Sequence, residues 1–166
     1  MRHLVAALVL VVSSAVAAAA EPVIFLVRHA ERADAGMAAA KMAGADPDLS
    51  AAGIARANAL AAMLKDARIT AVVTTEYKRT RQTGEPTAKA AGLSLTVIES
   101  KNAAAAIEKL KSAQGNVLVV GHSNTVPELL KALGVTEPVT IADDEFDALF
   151  VVTRSSPPTV VRLRYR

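Results

Sequence analysis

The sequence predicts an α/β fold: a three-layer sandwich with a largely parallel central sheet, helices on both faces and a C-terminal edge hairpin. Three observations predict it. Two runs of strand length, Val23–Val27 and Asn116–Val120, are almost uninterrupted in apolar character, as strands buried on both faces of a parallel sheet are. Segments of helical period alternate with β-branched segments along the chain. Finally, Ala148–Thr153 and Thr159–Arg164 are joined through Ser155-Ser156-Pro157-Pro158, a turn composition.

Taken in order, the chain opens with Met1-Arg2-His3, a basic start, then the apolar Leu4–Val12 and the small-residue stretch Ser13–Ala20. Ala18-Ala19-Ala20 forms a small-x-small site before Glu21-Pro22. These are the three regions of a signal peptide over residues 1–20. The apolar run falls short of the roughly 20 residues a spanning helix needs. We therefore expect one domain over 21–166, periplasmic or secreted, with no stable membrane span after cleavage.

Val23–Val27 is the first strand. Ala33–Pro47 reads as a loop, within which Met37–Ala43 has the composition of a helical turn. Ser50 is placed to N-cap a helix over about Ala51–Ala67, with Ile54, Leu60, Met63 and Leu64 on its buried face. A strand over Thr70–Thr75, a helix over about Lys78–Ala91 bent at Pro86, and a strand over Leu93–Ile98 follow. Gly92 stops the helix between those strands. Ala103–Lys111 is a helix, and Gly115 precedes the strand Asn116–Val120. Thr125-Val126-Pro127-Glu128 has the pattern of a capping box, with Thr125 as N-cap. Its helix should run to Leu133 and stop at Gly134. Asp143–Asp147 is an acidic loop.

Composition narrows the function classes. One of the 19 Lys and Arg lies in the leader, leaving 18 against 16 acidic residues, a net of +2. The basic residues are scattered and aromatics make up 3%, so no nucleic-acid surface is expected. There is no cysteine, hence no disulfide framework and no thiolate metal site.

The chemistry sits where the two apolar runs end. Val23–Val27 ends at Arg28-His29, and Asn116–Val120 ends at Gly121-His122. Ligands of open α/β sheets bind at the carboxyl ends of the strands. A zinc site is disfavoured, because only two of the three histidines lie outside the leader and no carboxylate has matching spacing. A third basic element, Lys78, Arg79 and Arg81, opens the second helix. Cations there oppose the helix dipole, a conflict that a bound anion would relieve. Lys78 and Arg81 read as solvated charges, and Arg79 as functional.

Arg28-His29-Ala30-Glu31 resembles the Arg-His-Gly-Glu signature of the histidine phosphatase superfamily, the group of cofactor-dependent phosphoglycerate mutases and acid phosphatases. Thr75-Glu76-Tyr77-Lys78-Arg79-Thr80-Arg81-Gln82-Thr83 is similar to that family's Ser-Pro-Leu-x-Arg-Ala-x-Gln-Thr segment. Gly121-His122-Ser123-Asn124-Thr125 resembles its second-histidine motif, and Leu49-Ser50-Ala51-Ala52-Gly53 its Leu-Thr-x-x-Gly helix start. The motifs occur in family order. The resemblance implies His29 as a nucleophile that becomes phosphohistidine. It implies Arg28 and Arg79 as guanidinium forks on the phosphoryl oxygens, and His122 as a hydrogen-bond donor to another oxygen. Fixed cations supply positioning and charge neutralisation, so neither metal nor other cofactor is expected.

The leaving group needs a proton. Glu99 falls about where the mutase branch of the family carries its acid, with Asp144 or Glu145 as fallback donors; Glu31 reads as a hydrogen-bond partner behind the site. Two departures stand out. Ala30 replaces the family glycine, and Arg32 and Ala35 replace the Ser/Thr and Asn of the mutases. Arg32 is either a further substrate-facing cation or a solvated charge. The span from Leu93 to Gly115 leaves no room for a large capping insertion, so the site should be open and the reaction hydrolytic. The expectation is an exported phosphomonoester hydrolase with a small phosphorylated substrate. The alternatives are a phosphoprotein or phosphohistidine phosphatase, and a non-catalytic phosphate-binding module.

Overall fold

A computed structural model of the chain describes residues 21–34 and 46–166. The expected signal peptide and the helical turn at Met37–Ala43 lie outside the described residues. The elements are β1 (Val23–Arg28), α1 (Ala51–Met63), β2 (Ile69–Thr74), α2 (Lys78–Ala90) and β3 (Leu95–Val97). They continue as α3 (Ala103–Ser112), β4 (Asn116–Gly121), α4 (Thr125–Ala132), β5 (Ala148–Thr153) and β6 (Val160–Arg164). The sheet order is β3-β2-β4-β1-β5-β6. The pairings β3–β2, β2–β4 and β4–β1 are parallel, and the C-terminal hairpin adds β5 and β6 antiparallel.

Alternation along the strands builds two cores. Ile24, Leu26, Val117, Val119, Phe150 and Val152 face one way, against Leu110 of α3 and Val126, Leu129 and Leu130 of α4. Val27, Leu118, Val120, Val72 and Leu149 face the other way, against Leu60 of α1, Leu64 just beyond it and Ala88 of α2. Helices thus cover both faces, because the central strands are apolar on both. Fully buried Leu60 and Phe150 each make a truncation to alanine costly, by about 2–5 kcal/mol.

Several boundaries and faces differ from the expectation. Helix α1 stops at Met63, and its buried positions are Gly53, Ala57 and Leu60. Ile54 and Met63 are 54% and 44% exposed. Small residues face the loop after β1 because the helix presses against it: a Cβ on Gly53 would overlap the Glu31 carbonyl oxygen. Ser50 does cap α1, its hydroxyl accepting from Gly53 N at 3.1 Å. Strand β3 keeps only three residues, as an edge strand half open to solvent.

The capping box does not form. Asn124 occupies the N-cap, and Thr125 lies inside the helix. Its hydroxyl turns back to accept the His122 backbone N–H at 2.9 Å. The helix closes at Gly134, where φ is +97°, a left-handed value at which glycine carries no steric cost.

Candidate active site

The sheet register brings the histidines together. β1 and β4 are neighbours, with Arg28 opposite Gly121, so His29 and His122 leave the sheet side by side. The ring centroids lie 5.4 Å apart, 65° between planes. β2 flanks β4 on its other side, with Thr74 opposite Val120, and so delivers Thr75 to the same edge. The Thr75 hydroxyl lies 3.1 Å from His122 Nε2, and the Tyr77 ring stands edge-on to His122 at 5.4 Å.

His29 is 4% exposed. Its Nδ1 is 2.8 Å from the Ala30 carbonyl, which can only accept, so Nδ1 carries the proton and Nε2 keeps a free lone pair. Its backbone N–H donates to the Gly121 carbonyl at 2.9 Å. Burial pushes the His29 pKa down to about 3, with the charges of His122, Arg79 and Arg28 adding to it. His122 is pushed down to about 4, by burial first and then by Arg79. Both imidazoles are therefore neutral at pH 7.

Helix α2 delivers Arg79. Thr83 pins it in place: its hydroxyl accepts the Ala30 N–H at 3.0 Å and donates to the Arg79 carbonyl at 2.7 Å. The Arg79 guanidinium stacks on Tyr77 at 4.2 Å. Its Nη1 is 3.7 Å from an Asp46 oxygen, beyond hydrogen-bond reach. Arg79 Nε and Nη1 are buried without a hydrogen-bond partner, and so is Arg28 Nε. Buried donors left unpaired cost about 1–3 kcal/mol each, more for charged groups. An oxyanion between the two guanidiniums is the partner that fits.

Arg28 is gripped from behind. Its Nη1 donates to the carbonyls of Ala142, Asp143 and Glu145 at 2.8, 2.9 and 3.3 Å, and its plane lies 4.3 Å from the Phe146 ring centroid. Arg28, His29, Arg32, Arg79 and His122 line one cavity of about 410 Å³, together with Ser100 and Lys101. Arg32 is the cation in that lining with a bidentate partner, Asp34, at 2.8 and 2.6 Å.

Other expectations find different places. The start of α2 answers its own dipole: the Asp46 carboxylate accepts the Lys78 N–H at 2.9 Å. Asp46 thus relieves the conflict at Lys78, while Arg79 keeps its buried, unpaired donors. Glu99 is exposed and does not line the cavity; it borders a small apolar pocket between α3 and α4. Asp144 is exposed. The Glu145 carboxylate pairs with Arg162 and, at 2.9 Å, with Arg164. Burial raises its pKa, but these arginines outweigh burial and hold it below the usual range. Glu31 bonds Arg56 through both oxygens and neither histidine. No Asp or Glu lines the cavity; residues 1–20 and 35–45, outside the described set, contain none. Among the described residues no three His, Cys, Asp or Glu side chains gather as metal ligands, and no helix is long and apolar enough to cross a membrane.

Four residues escaped the sequence reading: Thr75, Tyr77, Thr83 and Phe146. Thr75, Tyr77 and Thr83 stood inside a motif already noted for Arg79. Phe146 had no signal beyond being the aromatic in an acidic loop.

Paired neutral imidazoles at parallel strand ends, with the buried, unpaired Arg28 Nε and Arg79 Nε and Nη1 beside them, define an α/β domain with a cationic cavity at the carboxyl edge of its sheet. The model of the histidine phosphatase superfamily (branch 1) matches residues 24–101. The protein histidine phosphatase SixA complexed with tungstate superposes with TM-score 0.65 at 22% identity, covering 86% of this chain and 96% of that one. A candidate phosphohistidine phosphatase SixA from Agrobacterium tumefaciens gives 0.63 at 23%, covering 85% and 97%. A mycobacterial glucosyl-3-phosphoglycerate phosphatase in complex with VO3 gives 0.66 at 13%, covering 87% and 98%. Among curated proteins there is no significant match. The chain is thus similar in sequence to the histidine phosphatase superfamily over residues 24–101, and it shares the fold of the three phosphatase structures over 85–87% of its length.

Proposed function

We propose that the protein is a metal-independent phosphatase acting through a phosphohistidine on His29. One observation carries this reading: Arg28, His29, Arg79 and His122 meet around one cavity, with buried Arg28 Nε and Arg79 Nε and Nη1 left unpaired. A phosphoryl group between them gives those donors acceptors and cancels their charge. His29 Nε2 forms the bond to phosphorus, the bond to the leaving group breaks, and the leaving atom takes up a proton. Water then adds to phosphorus, the P–N bond breaks, and phosphate departs with His29 neutral again.

The absence of a carboxylate from the cavity lining favours one branch of this reading. The lining offers no carboxylic acid, so protonation of the leaving group falls to solvent or to His122 as its imidazolium. Phosphoramidates, such as a phosphohistidine on a protein, and aryl phosphates meet that demand better than alkyl phosphates do. A phosphoprotein substrate also suits an open cavity.

The test is hydrolysis of p-nitrophenyl phosphate and of a phosphohistidine peptide by wild type and His29→Ala. Expected are turnover that EDTA leaves intact, its loss in His29→Ala, and acid-labile, base-stable phosphate trapped on the protein. Retained phosphate binding without turnover would make the domain a phosphate-binding module. We further propose that residues 1–20 are a cleaved leader and that the substrate is met outside the cytoplasm; N-terminal sequencing of the protein recovered from cells tests this, with Glu21 as the expected first residue.

A further inference from the structure

We propose that Glu145 is a positioning residue for Arg28, and that the C-terminal hairpin serves the site through it. The proposal rests on the reading of Arg28 as a phosphoryl-holding group. Three facts converge on the loop between Ala142 and Phe146. Its carbonyls take Arg28 Nη1 at three points, and Phe146 covers the guanidinium face. With one nitrogen held and one face covered, the guanidinium has a single orientation, in which the buried Nε remains unpartnered. The loop is itself pinned by the Glu145 carboxylate. One oxygen accepts the Ala142 N–H at 3.3 Å, which closes the loop on itself. The other meets Arg162 and Arg164 of β6. The Glu145 side chain is 11% exposed and engages two arginines at once, which are themselves half open to solvent.

Glu145 therefore acts at a distance: its carboxylate never lines the cavity, while its carbonyl touches Arg28. Removing the carboxylate frees the loop, and the carbonyl cradle with it. Arg28 then regains rotamers that a bound anion must freeze again.

A double-mutant cycle tests this, read by inorganic phosphate binding and by p-nitrophenyl phosphate turnover. Glu145→Ala should weaken phosphate binding about tenfold, and Glu145→Gln, which can still accept, should recover most of that. In an Arg28→Ala background the Glu145→Ala effect should shrink below twofold. Turnover of aryl phosphates should fall by one factor whatever the leaving-group pKa. Equal losses in both backgrounds would reduce Glu145 to a general stabiliser and overturn the proposal. A steeper dependence on leaving-group pKa would make it a proton donor and overturn it equally. If Glu145→Ala does not fold, Arg162→Gln/Arg164→Gln loosens the same pin from the hairpin side, and the same cycle decides. Phosphate binding without turnover in wild type would sink the phosphatase reading alone, since the binding cycle still runs; no phosphate binding at all would sink both.

Discussion

The imidazoles of His29 and His122 meet edge to face at 5.4 Å, although 92 residues separate them in the chain. Each lowers its proton affinity for the same first reason, burial. His29 also feels the charge its neighbour would carry. Both rings are neutral at pH 7, and the His29 Nε2 lone pair is free.

An anion reverses that balance. With Nε2 beside the Thr75 hydroxyl, His122 can donate from both nitrogens only as the imidazolium. A phosphate dianion in the cavity favours that form. Binding of sulfate, an oxyanion that stays a dianion throughout this range, should therefore take up protons near pH 6 and tighten as pH falls toward 5. Calorimetry in two buffers of different ionisation enthalpy measures the uptake; no uptake would mean that His122 stays neutral in the complex.

Stability should follow the same two groups. Their folded pKa values, about 3 and about 4, lie below the ordinary 6.5, so between these values the unfolded chain binds more protons. Stability is then full above about pH 6.5 and is lost as pH falls toward 4. The lowered carboxylates, such as Glu31 and Asp147, lose their contribution only at lower pH. Between pH 6.5 and 5, Tm should fall in the unliganded wild type, and less in His29→Asn/His122→Asn. Parallel slopes would contradict buried neutral histidines.

Arg79→Lys should not substitute for arginine. The buried Nε and Nη1 present two donors in one plane, and an ammonium cannot reproduce them. Charge-assisted hydrogen bonds contribute about 1.5–3 kcal/mol each, so phosphate affinity should fall about 10–100-fold. Isothermal titration measures it; a loss under threefold would remove Arg79 from the site.

Leaving-group dependence should be steep. With no carboxylate in the cavity lining, p-nitrophenyl phosphate should turn over at least about 100-fold faster than glycerol phosphate, the loss expected without general-acid help. Glu99→Gln should change both within twofold, because the Glu99 side chain lies outside the cavity. A selective loss on glycerol phosphate in Glu99→Gln would return Glu99 to the role of proton donor.

Local pattern carried much of this. The apolar runs ending at Arg28-His29 and Gly121-His122 announced both strands and the sheet edge that carries the cavity, since strand burial and strand exit are visible in a short window. Ser50 as N-cap and Gly134 as stop were equally legible. The buried face of α1 was not. Hydrophobicity selected Ile54 and Met63, but close approach to the Glu31 backbone selects small residues, a demand set by a partner distant in sequence. The capping box failed for a similar reason: the Thr125 hydroxyl has a stronger claim on it from the His122 N–H.

The amino-acid order by itself determined the α/β layering, the parallel sheet with its edge hairpin, and the four residues Arg28, His29, Arg79 and His122. Those follow from periodicity and from motifs that are contiguous in the chain. Only the tertiary structure decided how the charges are shared. It gave Asp46 to the start of α2, Asp34 to Arg32 and Glu145 to the arginines of β6, and left Glu99 outside the cavity. Charge pairing depends on separations of a few ångströms between segments far apart in sequence, and no local window carries that information.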